Sequence, residues 1–164
     1  MPQGQEGIPA HIEDVLASDG VYVGTTVGVS MWPMLRNRRD TIVVKPVPAG
    51  TRLRRFDVPL YRRGDAYVLH RIVRVNPASY DILGDNCLAV ERGIPDERVI
   101  GVLAGFYRGD RQVDMDGAGY RVYVRVWCAL YPVRLLLMRA RGTVARGPLG
   151  DVVRRVRVER GTGR

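Results

Sequence analysis

The spacing of apolar and polar positions changes character twice along the chain. Residues 8–18 place Ile8, Ile12, Val15 and Leu16 at helical intervals with polar residues between them, which predicts a short amphipathic helix. From Val21 to roughly Val126, short apolar or alternating runs take over, at 21–29, 41–47, 66–75, 79–83, 98–107 and 119–126. Turn-forming clusters separate them: Arg36-Asn37, Pro48-Ala49-Gly50, Arg63-Gly64-Asp65, Asn76-Pro77, Gly109-Asp110 and Asp116-Gly117. Short strands punctuated in this way predict a mostly β domain, either a barrel-like coil or a sandwich. Residues 126–140 return to helical spacing, with a bend or break near Pro132. The predicted organisation is a helical lead-in over 1–20, a β-rich domain over 21–126, an amphipathic helical segment over 127–142 and a tail over 143–164.

A length of 164 residues suits one domain, or one domain with a tail. With 46% hydrophobic and 26% charged residues, wholesale disorder is excluded. The formal net charge is +9, and Lys45 is the only lysine among 26 cationic residues. Eight arginines and two acids fall within 139–164, so basicity concentrates at the C-terminal end. Such a segment attracts anionic lipid or nucleic acid non-specifically. No aromatic interleaving or helix-turn-helix pattern marks a nucleic-acid reader, so nucleic acid is not the expected partner. The most apolar window, 120–138, carries Arg121, Arg125, Arg134 and Pro132. Each arginine costs about 2.5–3.5 kcal/mol at a bilayer centre, which argues against a simple span. A half-buried strand running into a short amphipathic helix is expected there, with a helix lying in a membrane surface as the second reading. No cleavable signal peptide is visible in the first twenty residues. The expected location is cytoplasmic, with peripheral contact to an anionic membrane through the C-terminal segment. Cys87 and Cys128 form no CxxC and have no nearby histidine pair, so neither a metal site nor a cofactor is expected.

Three segments carry candidate chemistry. In Val27-Gly28-Val29-Ser30-Met31-Trp32-Pro33, a serine directly after a predicted strand is held by a proline that restricts the residue before it. Gly28 is expected to let another backbone approach closely, and the Ser30 N–H would lie where an oxyanion could form. A serine hydroxyl needs a base, and only His11 and His70 are histidines. His11 reads as an exposed residue of the first helix. His70 lies within Ala66–Val75, where a period of two puts it on one face with Val68 and Ile72. Gly84-Asp85-Asn86 is a turn by composition, and its carboxylate could orient His70 and stabilise its cation.

Taken in order, these segments resemble the signal peptidase I family and its wider clan of serine proteases. The shared motifs are Ser30-Met31-Trp32-Pro33, then Arg39-Asp40-Thr41-Ile42-Val43-Val44, then Gly64-Asp65-Ala66-Tyr67-Val68 leading to His70-Arg71-Ile72, and finally Gly84-Asp85-Asn86. They span roughly residues 24–107. The absence of lysine from the base-bearing strand makes the chain similar to the endoplasmic-reticulum, archaeal and sporulation-type branch. The resemblance implies a coiled β-barrel domain of the signal-peptidase and SOS-repressor type, with a short N-terminal helix and a C-terminal helical segment. It further implies Ser30 as nucleophile, His70 as general base, and a peptide or precursor protein as substrate. That branch places an aspartate six positions after the Gly-Asp-Asn aspartate, where this chain has Glu91, so Asp85 and Glu91 are both candidates for the supporting carboxylate. Gly28, Met31 and Pro33, which flank the serine, are the candidate substrate-contacting residues. Gly28 replaces a serine that some relatives offer to the oxyanion, Arg39-Asp40 replaces the usual Gly-Asp, and the family's N-terminal membrane anchor has no counterpart here. Two alternatives are a catalytically inactive peptide-binding or regulatory module of the same fold and a basic nucleic-acid-binding protein. A histidine base predicts activity that rises with pH near the unperturbed value of about 6.5.

Overall fold

The computed structural model describes residues 12–137. His11, the start of the predicted first helix, the end of the C-terminal helical segment and the whole 143–164 tail lie outside the described residues. The chain forms two units, Met1–Arg125 and Val126–Arg164. The first is mostly β, with a large sheet curled into a half-barrel.

Helix α1 (Ile12–Asp19) buries Ile12 and Leu16, one turn apart. Glu13, on the same helix, accepts hydrogen bonds from the Arg62 guanidinium and the Tyr67 hydroxyl, which pins α1 against the following hairpin. The strands are β1 (Tyr22–Thr25), β2 (Asp40–Lys45), β3 (Pro59–Arg63), β4 (Ala66–Leu69), β5 (Arg71–Asn76), β6 (Ser79–Leu83), β7 (Glu91–Pro95), β8 (Val99–Arg108) and β9 (Arg111–Val113). The six-stranded sheet runs β1-β2-β8-β3-β4 with β9 also on β8, and β5-β6-β7 form a second sheet. All pairings are antiparallel. Three hairpins close through two-residue loops, Gly64-Asp65, Pro77-Ala78 and Gly109-Asp110, with Gly64 and Gly109 at positive φ as such tight turns require.

Strand β3, in the interior of the large sheet, is covered on both faces. Leu60 enters one core with Ile12, Leu16, Met31, Met34, Leu35, Ile42, Val44, Leu103 and Phe106. Its neighbour Tyr61 points the other way, into a core with Leu53, Ile72, Tyr80, Ile82 and Ile94, where the small sheet packs. The predicted 66–75 run is two strands, not one. β4 ends at Leu69 in the large sheet, β5 starts at Arg71 in the small one, and His70 is the single residue between them.

Other expectations need correction. The 21–29 run yields a strand only to Thr25, because the chain turns at Gly28, which has φ +96°. No strand was expected at β3, β7 or β9, whose charged, proline-bearing or very short sequences hide the alternation. The 119–126 run is helical, within α2 (Ala118–Ala129). Its alternating Tyr120, Val122, Val124 and Val126 also contain a helical spacing, and it is Tyr120, Tyr123 and Val124 that turn inward. The Asp114 carboxylate accepts the N–H groups of Asp116 and Gly117 ahead of the helix and so favours its start. In the second unit the helix breaks at Leu130 and resumes over 131–137, where Pro132 has no N–H to donate.

Gly101 on β8 packs closely against the β2 backbone. A Cβ there would lie 2.7 Å from Val44 Cγ1 and 2.9 Å from the Lys45 carbonyl oxygen. The carbonyl cannot swing aside, so Gly101→Ala is expected to destabilise the protein by about 1–3 kcal/mol. Urea denaturation measures this, and an unchanged midpoint would contradict the close packing of β8 on β2.

Candidate active site

Ser30 sits in the loop between β1 and β2, residues 26–39, that is fastened from within. Asp40 is fully buried at its end and accepts the Arg36 N–H at 2.9 Å and the Arg36 guanidinium at 2.7 and 2.9 Å. The Thr26 hydroxyl donates to the Arg36 carbonyl at 2.7 Å, and the Gly28 N–H donates to Asn37 Oδ1 at 2.9 Å. Arg108 reaches across from β8 to the Met34 carbonyl at 3.0 Å. Met31, Met34 and Leu35 sink into the core, while Val29 and Trp32 stay exposed. This arrangement holds a half-exposed Ser30 between buried anchors. The Met31 side chain therefore fixes the loop. Pro33 is half-buried beyond a cis Trp32–Pro33 peptide. Gly28 is exposed, and a Cβ on it would meet nothing within 4 Å. The glycine there serves the backbone conformation, not the close approach expected from sequence.

The Gly84-Asp85-Asn86 turn docks on this loop. The Asn86 N–H donates to the Ser30 carbonyl at 2.7 Å and its side-chain amide donates to the Val29 carbonyl at 3.3 Å. Gly84 is the point of closest approach. A Cβ built there would lie 2.9 Å from His70 Nε2, 2.9 Å from the Ser30 carbonyl oxygen and 2.5 Å from Cys87 Sγ. The imidazole nitrogen and the Ser30 carbonyl oxygen are therefore no more than twice 2.9 Å apart. Forty residues separate Ser30 and His70 in the chain, and the structure brings them to one place. No hydrogen bond joins the Ser30 hydroxyl to the imidazole among the described residues.

The opposite edge of the ring meets Glu91. Its Oε1 lies 3.2 Å from His70 Nδ1, accepts the Tyr61 hydroxyl at 2.8 Å and accepts Arg63 Nη1 at 3.1 Å. The Tyr61 oxygen is itself 3.3 Å from Nδ1. The Tyr61 proton goes to the carboxylate, so both oxygens near Nδ1 are acceptors. We therefore assign the ring proton of neutral His70 to Nδ1, which leaves the Nε2 lone pair facing Gly84 and Ser30. Burial, with His70 only 3% exposed, pushes the imidazole below its ordinary value of 6.5. The Glu91 charge pulls it back up in part, and Arg63 lowers it further. Burial and then Glu91 likewise raise the Tyr61 phenol, which stays protonated.

Of the two candidate carboxylates, Glu91 faces the imidazole. Asp85 instead grips Arg71 in a fork, with Oδ1 on Nε at 2.9 Å and Oδ2 on Nη2 at 2.8 Å. Both side chains are almost fully buried. Burial opposes the Arg71 charge, but the hydrogen bonds and attraction of Asp85 outweigh it and raise the guanidinium's pKa. Arg71 also donates to the Phe56 carbonyl at 3.1 Å and to the Tyr120 hydroxyl at 3.3 Å. Sequence reasoning missed Tyr61, Arg63 and Arg71 as parts of the site. The first two lie on the unrecognised β3. Arg71, an arginine inside an apolar run beside the histidine, was the available signal. Among the described residues no group of histidines, cysteines and acids is arranged to hold a metal ion. Comparison of the chain with protein-family models and with curated proteins finds no match.

Two outcomes follow. NMR titration of His70 is expected to give a midpoint below 6.5, and Glu91→Gln lowers it further because it removes the charge that favours the imidazolium. Because the folded state takes up this proton less readily than the unfolded chain, this histidine makes stability fall as pH drops below 6.5 and level off below the folded midpoint. Asp85→Ala strands a buried guanidinium and is expected to cost about 3–5 kcal/mol in a denaturation experiment. A loss under 1 kcal/mol would show the pair to be no more important than a surface contact.

Proposed function

We propose that this chain is a serine endopeptidase of the signal-peptidase type, with a fold of the coiled barrel kind found there, that cleaves a precursor or leader peptide. One observation carries the reading: His70 presents Nε2 to the Ser30 loop across Gly84, while a carboxylate holds its Nδ1 edge. In the reaction Ser30 Oγ attacks the peptide carbonyl as His70 Nε2 takes its proton. Glu91 stabilises the imidazolium that forms, much as the acid of a Ser-His-acid triad does. The imidazolium then gives the proton to the leaving amine. The acyl-enzyme is opened by a water that loses its proton to the same nitrogen, and that proton then passes to Ser30 Oγ as the ester bond breaks, which restores both residues.

The setting supports an extended peptide as substrate. β1 has a strand neighbour on one side only among the described residues, and it leads directly into the Ser30 loop. Val23, Val27, Val29 and Trp32 are exposed along that edge and loop, and they offer apolar contact to an added strand. The order of the Ser-Met-x-Pro, His-Arg-Ile and Gly-Asp-Asn segments is a second, independent support.

The test is mass spectrometry on candidate precursor peptides incubated with the wild type, Ser30→Ala and His70→Ala. Both variants are expected to lose cleavage by at least about 100-fold. Wild-type activity should rise with pH to a plateau, with its half-maximum below 6.5. Cleavage that survives Ser30→Ala would refute the nucleophile. Binding without cleavage by all three proteins would favour the inactive peptide-binding module.

A further inference from the structure

We propose that the helical segment of the second unit lies on an anionic lipid surface. Val126, Leu130, Val133 and Leu137 recur at intervals of four, three and four residues. Across the turn at Leu130, the Leu130 N–H still donates to the Val126 carbonyl and the Arg134 N–H to the Leu130 carbonyl. Helical spacing therefore carries through and places the four in one stripe, which Leu136 adjoins. All five are between 45% and 69% exposed. A surface helix ordinarily turns polar side chains to water and apolar ones inward. This segment presents aliphatic side chains outward.

The charge beside the stripe selects the occupant. The 26 residues from 139 to 164 contain eight arginines and two acids. An exposed aliphatic stripe continued by a dense cationic sequence matches the two components of a leaflet surface, acyl chains and anionic headgroups. A second copy of the chain would cover the stripe but bring two arginine-rich sequences together. Nucleic acid would satisfy the arginines but leave the valines and leucines in water. Among the described residues no helix is long and apolar enough to cross a membrane.

The experiment is co-sedimentation of the full-length chain with vesicles of phosphatidylglycerol and phosphatidylcholine in equal parts, against pure phosphatidylcholine. Binding is expected to the anionic vesicles and to weaken as salt is raised. Arg139→Gln and Arg141→Gln should each weaken it about fivefold. The triple variant Leu130→Glu, Val133→Glu, Leu137→Glu should abolish vesicle binding while leaving the circular dichroism spectrum and thermal midpoint of the wild type, because the replaced side chains are exposed. Equal binding to neutral and anionic vesicles would overturn the proposal. So would failure to bind vesicles together with a dimer in sedimentation equilibrium that the triple variant dissolves, or tight nucleic-acid binding that the triple variant retains.

Discussion

A guanidinium shut away from water must have its charge answered nearby, and the geometry of the site follows from how that is done here. Arg71 opens β5 and Asp85 lies in the turn after β6, so their paired hydrogen bonds lock two chain segments in one relative position. The residue before Arg71 is His70, and the residue before Asp85 is Gly84. The ion pair thereby sets the imidazole against the glycine, and the glycine leaves room for the Ser30 loop. Buried pairs of this kind add little net stability over an apolar pair of the same shape. Their contribution is positional, and this one spans the elements that must meet.

Around His70 two effects oppose each other. Exclusion from water favours the neutral ring, which is the form able to accept a proton. The Glu91 carboxylate favours the charged ring, the form that must exist briefly after a proton is taken. Burial is the larger effect, so the neutral ring is favoured, and Glu91 lessens the cost of the cation. Tyr61 and Arg63 share the carboxylate and hold it against the Nδ1 edge. The longer reach of glutamate suits this position, because β7 pairs with β6 and Glu91 stands opposite Ile82, across the small sheet.

Much of this was legible in the residues. The two-residue loops at Gly64-Asp65 and Gly109-Asp110 were marked by turn chemistry, which acts locally, and the Asn76-Pro77 signal fell one residue before the Pro77-Ala78 loop. The inward pair on α1 followed from its periodicity. Ser30, His70 and Gly84-Asp85-Asn86 could be singled out because serine, histidine and acid have few chemical roles in such company. What was not legible depended on contacts between distant segments. Whether Asp85 or Glu91 supports the histidine was decided by Arg71, which claims the nearer acid. β3 escaped notice because Leu60 and Tyr61 are both buried, on opposite faces, and the two arginines that follow conceal any alternation. Residues 119–126 misled because alternating valines and tyrosines fit both periods, and only the preceding Asp114 turn favours the helix.

His70 is the single residue between β4 and β5, with the half-barrel behind it in the chain and the three-stranded layer ahead. One edge of its ring, at Nδ1, is held by an oxygen from each, Tyr61 of the first and Glu91 of the second. Loosening of the smaller layer alone would carry Glu91 away from Nδ1 and leave the imidazole free to turn. If Ser30 and His70 act as proposed, the reaction depends on that smaller layer staying docked against the half-barrel.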